Sequence, residues 1–300
     1  MDDPALLANT TLAVQIENHP QARPPHNLGL ADMVIEAPVE GDVTRYTGIF
    51  LCRPTVGLTG PIRSARYYNI DLWQDLHVLT VGFGASDGAL ALFAAAGMPY
   101  VNGLTGAWPW FQRGPGEAPH NLYGDVEAIR QALGEHAGVD AQAARVDTRR
   151  PSLNFSPRAQ LPDGDPVIQI TIQTNGYWRF GWRWSIPLAR WERLENLTPL
   201  GDGAVDQPIT ARSVIVQRVT QEIVYGDPDP AGNPRRLQHL VGSGDGTVFV
   251  DARAIALRWS RPTAADSTTW TVVETGQALV LPPGVVWWEI VPVEAPITLR

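Results

Sequence analysis

The hydrophobic and polar positions predict four β-strands in the N-terminal third of the chain, and in the first of them apolar and polar residues alternate, as in a half-buried strand. These four segments are residues 11–18, 31–37, 43–52 and 77–84. In the first of them, Leu12, Val14 and Ile16 fall on one side of the predicted strand. The third segment is also rich in β-branched and aromatic residues, which favours the same interpretation.

The apolar period lengthens to that of an α-helix in three places in the rest of this half. Small polar residues that can cap a helix stand at the start of each place, and glycine follows the second and the third. The predicted caps are Ser64 for the first helix, Ser86 or Asp87 with Gly97 for the second, and Asp125 with Gly134 for the third. Strands that alternate with helices predict an α/β fold with a mixed sheet.

The pattern changes near residues 150–165, which are polar, rich in proline and typical of a linker. Beyond them, short apolar segments alternate with Gly, Pro and Asp turns, which predicts a sandwich or barrel-like β module. We therefore predict an α/β (α+β) domain with a mixed sheet at residues 1–155 and a mostly-β domain at residues 156–300.

The chain of 300 residues has a net charge of −8, and all 23 of its basic residues are arginine. The absence of lysine excludes Schiff-base and pyridoxal-phosphate chemistry. It leaves guanidinium groups, which suit bidentate contacts to carboxylate or phosphate. The acidic balance argues against nucleic acid as a partner. No apolar run reaches about 18 residues, so no transmembrane helix is predicted, and the N-terminal segment lacks the pattern of a signal peptide.

The segment GPIRSAR gives the strongest indication of a binding site. If Ser64 caps the helix that follows, Arg63 and Arg66 lie where the helix already carries partial positive charge, so the two guanidinium groups need an anion. A ligand phosphate or carboxylate would supply it. The internal carboxylates that would supply it instead are Glu36, Glu40 and Asp71.

Glu36 and Glu40 flank a proline turn, and Arg45 lies in the strand that follows. Unequal surroundings would separate the pKa values of the two carboxyl groups and let them act as acid and base. The alternative, which the residues alone favour, is that the two glutamates only form ion pairs with Arg45, Arg63 and Arg66.

Two polar loops add further candidates. The loop after the first strand carries Asn18 and Arg23, at a strand end where α/β proteins place ligands. The loop before the third helix carries His120 and Asn121, and His120 is the best candidate for a general acid or base. No spacing of histidines or carboxylates typical of a metal site occurs, and neither a metal nor a cofactor is predicted.

The segments LAVQIENHPQARP, GLADMVIEAPVEGDVTRY, GPIRSAR and APHNLYGD, in this order, resemble the YerB-like family of bacterial lipoproteins, which pairs two domains of unknown function. The likeness continues through SVIVQ, VGSGDGTVFVDARAI, ALRWSR and LPPGVVWW, and so covers nearly the whole chain. The sequence departs from the family at GWRWSIPLARW, where an acidic stretch is usual, so no role is assigned to that segment.

The resemblance implies an extracytoplasmic protein held at the bacterial cell envelope by a lipid anchor, whose signal segment is missing from this sequence. It also implies that the family's motif residues carry the site, and it gives no reaction. The positions that match those motif residues are Asn18, Arg23, Asp32, Glu36, Glu40, Thr44, Arg45, Arg63, Ser64, Arg66, His120 and Asn121.

The first hypothesis for the function is a binding module. Arg45, Arg63 and Arg66 would hold an anionic envelope ligand, such as a phosphorylated lipid carrier, a glycan acid or a peptide carboxylate. The other residues expected to line this site are Asn18, Arg23, Ser64 and Asn121.

Two alternatives remain open. The second hypothesis is an envelope hydrolase or transferase that acts on a glycan or on a phosphorylated lipid-linked substrate, with Glu36 or Glu40 as the base and His120 as the acid. The third is a scaffold that binds another envelope protein through an exposed aromatic patch of the β domain.

Overall fold

The computed structural model describes residues 10–105, 109–132, 152–174 and 179–300. Within these ranges the α-helices are α1 (Asn69–Leu76), α2 (Asp87–Ala96) and α3 (Val126–Ala132). Short 3-10 helices occupy Pro20–Ala22, Leu28–Leu30 and Glu40–Asp42.

Strands dominate both halves of the described chain. Those of the N-terminal half are β1 (Leu12–Glu17), β2 (Met33–Pro38), β3 (Thr44–Phe50), β4 (Leu79–Gly82), β5 (Tyr100–Asn102), β6 (Phe111–Arg113) and β7 (Leu122–Gly124). The predicted linker and the start of the C-terminal half contain β8 (Asn154–Phe155), β9 (Asp165–Pro166), β10 (Gln169–Ile172), β11 (Phe180–Ser185), β12 (Arg190–Glu195), β13 (Thr198–Pro199), β14 (Gly201–Asp202), β15 (Gln207–Pro208) and β16 (Thr210–Ala211). The remaining strands are β17 (Ser213–Val219), β18 (Gln221–Val224), β19 (Arg235–Gln238), β20 (Gly242–Val250), β21 (Arg253–Arg261), β22 (Thr269–Val272), β23 (Val280–Leu281), β24 (Val286–Pro292) and β25 (Ile297–Leu299).

Eleven strands form a mixed sheet that runs through both halves of the chain. Its order is β22-β21-β20-β17-β24-β2-β3-β1-β4-β5, with β9 paired to β21 outside this path. The halves join where β2 pairs in parallel with β24, in a register that places Glu36 opposite Glu289. The pairs β17–β24, β1–β4 and β4–β5 are also parallel, and the other neighbours are antiparallel.

A six-stranded sheet packs on one face of this large sheet. Its order is β13-β12-β11-β10-β25, with β16 paired to β12. Apolar side chains of both sheets form one core, in which Trp182 meets Trp287 edge to face with ring centroids 4.9 Å apart and Trp191 packs against Phe249. Such buried aromatic pairs combine a large apolar surface with a favourable ring geometry, so they hold the two sheets together.

The opposite face of the large sheet is covered by α1. Tyr68 and Leu72 share a second buried core with Ile35 of β2 and Trp288 of β24. Since Ile35 and Trp288 are paired residues on adjacent strands, the helix of the N-terminal half packs across the junction between the two halves.

The predicted fold class is confirmed: a mixed sheet with helices in the N-terminal half and a mostly-β C-terminal half. Two of the predicted helix starts are confirmed as well. Ser86 Oγ accepts a hydrogen bond from Ala89 N and Gly97 ends α2, while Asp125 Oδ1 accepts from Ala128 N at the start of α3. Gly134, the predicted end of the third helix, lies outside the described residues.

The helix predicted behind Ser64 is wrong in its start, because α1 begins at Asn69. The backbone of residues 61–65 is extended instead. Arg63 N donates to Gln15 O at 3.0 Å, and Phe83 N donates to Arg63 O at 3.0 Å. The segment thus lies between the ends of β1 and β4 like a short strand, and these backbone hydrogen bonds outweigh its local helical pattern.

The boundary predicted between residues 155 and 156 stays a prediction. β8, which ends at this boundary, pairs in parallel with β23 of the C-terminal half. The large sheet also takes strands from both sides of it. The two predicted domains therefore share their main sheet.

Candidate functional site

β1, β2 and β3 place polar side chains on both faces of the large sheet. Glu36 lies opposite Tyr46 in the β2–β3 pair, on the face that packs against the six-stranded sheet. Glu17 lies opposite Arg45 in the β1–β3 pair. Since successive side chains of a strand point to opposite faces, Arg45 and Tyr46 belong to separate polar clusters.

The cluster between the two sheets is fully buried. Arg193 Nη2 donates to Glu36 Oε1 at 2.7 Å and to Glu195 Oε1 at 2.8 Å, and Arg193 Nε donates to Glu36 Oε2 at 3.1 Å. Glu36 also accepts hydrogen bonds from Thr44 Oγ1 and Trp287 Nε1. Neither Arg193 nor Glu36 has exposed side-chain surface, so no ligand reaches either group.

Glu289 adds a third carboxyl group to this buried cluster. Its Oε1 accepts a hydrogen bond from Trp182 Nε1 at 2.9 Å, and its Oε2 has no hydrogen-bond partner among the described residues. Burial raises the pKa of Glu289 well above its ordinary value, and the neighbouring Glu36 raises it further. Burial also raises the pKa of Glu36, against the lowering effect of Arg193. Glu289 is therefore harder to ionise than an exposed glutamate.

Asn18 and Arg23 connect the buried cluster to the surface. Asn18 Nδ2 donates to Thr44 Oγ1 at 2.7 Å and to Glu195 Oε1 at 3.0 Å. Arg23 donates from Nε to Asn18 Oδ1 and from Nη2 to the Asn18 carbonyl, and its Nη2 lies 3.4 Å from Glu195 Oε2. The side chain of Arg23 is 16% exposed, so this is the end of the network nearest to solvent.

A second ion-pair cluster lies around Glu40. Arg66 Nε donates to Glu40 Oε2 at 2.8 Å, Arg66 Nη2 donates to Glu40 Oε1, and Arg235 Nη1 donates to Glu40 Oε1 at 2.5 Å. Burial alone would raise the pKa of Glu40, but Arg66, Arg45 and Arg235 lower it to about 2. Arg66 also donates from Nη1 to the carbonyls of Ser64 and Ala65, so its guanidinium is saturated by the protein.

Four residues from separate elements form a partly exposed polar site, which we call the histidine–arginine surface: His19, Arg63, Arg113 and His120. Its floor is Glu17, whose side chain is 4% exposed. Glu17 Oε1 lies 3.0 Å from Arg63 Nε and 3.1 Å from His120 Nδ1, at angles too bent for hydrogen bonds, and Glu17 Oε2 has no hydrogen-bond partner within the described ranges. The Arg63 side chain is 31% exposed.

The two histidines of this surface are stacked. Their ring centroids lie 4.3 Å apart, with 11° between the planes. His19 Nδ1 accepts a hydrogen bond from Gln21 N at 3.3 Å, so the neutral ring carries its proton on Nε2 and presents a donor there. Burial lowers the pKa of His19, and the charge of His120 lowers it further.

The charges around His19 are predominantly positive. Besides His120, Arg23 and Arg63 lower the pKa of His19, while Glu17 opposes them. Arg113 of β6 lies close to Arg63, because its Nη1 and that of Arg63 both point at the Pro119 carbonyl, at 3.4 and 3.5 Å. This patch is thus locally cationic on a protein whose net charge is −8.

The structure divides the residues predicted to form one site. Arg63, His120 and Asn121 lie at or beside the histidine–arginine surface. Glu36 lies in the buried cluster, whereas Glu40 and Arg66 pair with each other. The internal alternative is therefore the correct one for Arg66, whose anion is Glu40. Asp71, another internal candidate, pairs instead with Arg261.

The other predicted ligand residues have structural partners. Asn121 accepts from Arg113 Nη1 and donates to the carbonyls of Gly114 and Gly116, so it shapes the loop before β7. Ser64 Oγ donates to the Phe83 carbonyl. Arg45 Nη1 donates to the Ser64 carbonyl, while its Nε is buried and lacks a hydrogen-bond partner in the part of the chain that the structure describes.

Sequence reasoning did not single out Glu17, Arg113 or Arg193. One feature could have indicated Glu17: it is the last residue of a strand that pairs with the strand of Arg45. Arg193 contacts Glu36 across 157 residues of chain, and no local pattern indicates such a pairing.

The chain belongs to the family of proteins of unknown function DUF3048. The model of that family's N-terminal domain matches residues 1–140, and the model of its C-terminal domain matches residues 168–288. The family thus has two domains whose matches lie on either side of the predicted linker.

Two comparisons point to the same relative, from Bacillus subtilis. A protein of strain 168 named "Putative lipoprotein YerB" is 27% identical over 289 residues, covering 94% of this chain and 81% of that protein. The crystal structure of the YerB protein from Bacillus subtilis has a TM-score of 0.81 at 24% identity, with 99% of this chain and 97% of that chain covered. The second likeness shows that the two proteins share their fold.

Two kinds of feature are absent from the described residues. No α-helix in residues 10–105, 109–132, 152–174 or 179–300 is both long and apolar enough to cross a membrane. The same ranges contain no group of three or more His, Cys, Asp or Glu residues placed to hold a metal ion.

Proposed function

We propose that this protein binds an anionic ligand of the bacterial cell envelope at the histidine–arginine surface. The observation that carries the proposal is the position of Arg63, which is anchored against the buried Glu17 and still exposes 31% of its side chain beside two stacked histidines. An anchored, permanently charged group with exposed donors is suited to a phosphate or carboxylate.

The proposal narrows the arginine cluster expected from the sequence. Arg66 is saturated by Glu40 and by backbone carbonyls, and Arg45 is buried. We assign both to the support of the site. Arg113 takes their place as a ligand group, because it is exposed and its guanidinium lies close to that of Arg63.

The envelope location is part of the proposal. It rests on the family, on the relative whose name is that of a lipoprotein, and on the charge distribution. A small cationic patch on an acidic protein favours a compact anion over a long polyanion, whose other charges the protein would repel. A phosphorylated lipid carrier, a glycan acid or a peptide carboxylate all present such a group.

The experiment compares binding of sulfate and of pyrophosphate to the full chain by calorimetry at about pH 6, which is below the ordinary histidine pKa of about 6.5. Arg63→Gln removes one charge-assisted contact, so we expect affinity to fall by about tenfold or more. Arg113→Gln should also weaken binding, and it leaves the contact between Arg63 and Glu17 intact. Arg258→Gln is the matched control, since Arg258 is exposed and paired with the exposed Asp245.

Two results contradict the proposal. One is that the wild-type chain binds neither anion. The other is that Arg63→Gln and Arg113→Gln both bind as tightly as Arg258→Gln, which would place any anion site elsewhere.

The contact between Glu17 and His120 favours an envelope hydrolase or transferase as a second candidate. A carboxylate that accepts a hydrogen bond from Nδ1 orients an imidazole so that Nε2 can accept a proton. Substrate binding would have to straighten the 3.1 Å contact between Glu17 Oε1 and His120 Nδ1 into such a bond. His120 would then be the base and Glu17 the carboxylate that orients it. Glu36 and Glu40 are not available for this role, because both are held in buried ion pairs. Hydrolysis of a chromogenic phosphodiester that is lost in His120→Gln and kept in His239→Gln would favour this candidate.

A further inference from the structure

We propose that the histidine–arginine surface selects doubly charged oxyanions, of the sulfate or phosphate-monoester type, and takes up a proton on its histidine pair as the anion binds. This inference rests on the proposed function, to which it adds the charge of the ligand and a response to pH.

The first step is the closeness of the two rings. His19 and His120 are stacked with centroids 4.3 Å apart. Two imidazolium rings at this distance repel each other strongly, because the site is partly shielded from water. Without a ligand, the pair therefore resists taking up a second proton.

The second step is the balance of permanent charges that face the pair. Arg23 approaches from the loop after β1, Arg63 from the segment before α1, and Arg113 from β6. Glu17 of β1 is the carboxylate in contact with His120. Three guanidinium groups and one carboxylate leave an excess of positive charge before either ring is protonated. This excess also disfavours protonation of the rings.

The third step is the effect of an anion. A sulfate beside Arg63 would cancel this excess and give each protonated ring an attractive partner. A bound anion thus raises the proton affinity of the histidine pair, and by linkage a protonated pair raises the affinity for the anion. Uptake of one proton makes the dissociation constant fall by about tenfold for each pH unit that the solution is acidified.

The fourth step concerns the charge of the ligand. A single negative charge leaves part of the excess of positive charge in place, so it gives the rings little reason to take up a proton. A second negative charge on the same group cancels more of this excess and can pair with an imidazolium. Tetrahedral oxyanions offer acceptors in several directions, and a planar carboxylate does not.

The experiment measures sulfate binding to the full chain by calorimetry at about pH 5.5 and at about pH 7.5, on either side of the ordinary histidine pKa of about 6.5. Sulfate is the chosen probe because its own charge does not change between these values. Each titration is repeated in two buffers of different ionisation enthalpy, which gives the number of protons taken up. Acetate serves as the singly charged comparison.

We expect sulfate to bind about tenfold or more tightly at the lower pH, with up to one proton taken up at the higher pH. Acetate should change much less. His19→Gln and His120→Gln should each reduce the pH dependence and the proton uptake. His239→Gln is the matched control, since His239 is about half exposed beside Glu222. A thermal unfolding curve of each variant checks that it is folded.

The outcomes separate this inference from the proposed function. If sulfate binds in an Arg63-dependent manner, with equal affinity at both pH values and no proton uptake, the inference is wrong and the proposed function stands. If both histidine variants keep the full pH dependence, the inference is also wrong. If sulfate does not bind at all, both fail.

Discussion

Arg193 of β12 and Glu36 of β2 form a fully buried ion pair that joins the six-stranded sheet to the large sheet, with Nη2 and Oε1 2.7 Å apart. A buried ion pair contributes less to stability than its geometry suggests, because both charges lose their hydration. Removal of one partner is a different matter, since it leaves the other charge buried and uncompensated.

We therefore expect Arg193→Met to destabilise the protein by about 3–5 kcal/mol, with Glu36 and Glu195 left without their shared guanidinium. Urea unfolding followed by tryptophan fluorescence measures this change. The control is Arg183→Gln on the neighbouring strand, whose pair with Glu192 is about half exposed and is worth about 1 kcal/mol or less. Equal effects of the two substitutions would contradict the role given to Arg193.

Glu289→Gln should not destabilise the protein at neutral pH, in contrast to Arg193→Met. Burial raises the pKa of Glu289 well above its ordinary value, so the native state keeps a proton that the unfolded state loses above about pH 4.3. The wild-type chain therefore loses stability as pH rises through this range, by at most about 1.4 kcal/mol per pH unit from this group. The glutamine variant lacks this loss.

The measurement is the free energy of unfolding of both proteins at about pH 5 and at about pH 8. Glu289→Gln should gain stability relative to the wild type as the pH rises, and it should be no less stable at neutral pH. A loss of several kcal/mol at neutral pH would mean that Glu289 is ionised in the native protein.

Glu40→Gln tests the second ion-pair cluster through its acid response. Arg66, Arg45 and Arg235 together lower the pKa of Glu40 from 4.5 to about 2, against the effect of burial. A group with a lowered native pKa contributes stability above its unfolded pKa, here about 3 kcal/mol, and this is lost as the pH falls through about 2. Acid unfolding curves should show a smaller loss of stability between neutral pH and about pH 2 for the variant than for the wild type. Identical slopes would contradict the pairing.

Arg66→Gln distinguishes support of the site from ligand binding. Because Glu40 and two backbone carbonyls saturate Arg66, we expect the variant to be less stable by about 3 kcal/mol and to bind sulfate within about twofold of the wild type. Arg63→Gln should show the reverse pattern. If a variant at Arg66 stays folded and loses sulfate binding, Arg66 is itself a ligand-binding residue, as the wider arginine cluster expected from the sequence requires.

The sequence was informative where the structure depends on short-range patterns. The hydrophobic and polar positions predicted β1, β2 and β3 closely, and the Ser86 cap predicted α2. These features depend on residues within one strand or one helical turn. The same reasoning placed a helix start at Ser64, where long-range backbone hydrogen bonds to Gln15 and Phe83 decide the conformation.

The candidate site shows the same contrast between short-range patterns, which the sequence reveals, and long-range contacts, which it does not. A polar loop indicated His120, and the helix argument that pointed to Arg63 was wrong in its geometry, since α1 begins at Asn69. The strand pattern of β1 rests on its apolar side, and it does not indicate Glu17, which lies on the other side of the strand. The partner of Glu36 is Arg193, which lies two residues beyond the segment that departs from the family pattern. Which arginine meets which glutamate depends on the packing of two sheets, and no single segment carries that information.

The parallel pairing of β2 with β24 affects the order in which the protein can fold. During synthesis, β2 emerges from the ribosome about 250 residues before its parallel neighbour, and its open edge then has unpaired backbone groups. Contacts so distant in sequence form late and slowly. The N-terminal half therefore remains an incomplete sheet, available to incorrect pairing partners, until β24 has been made.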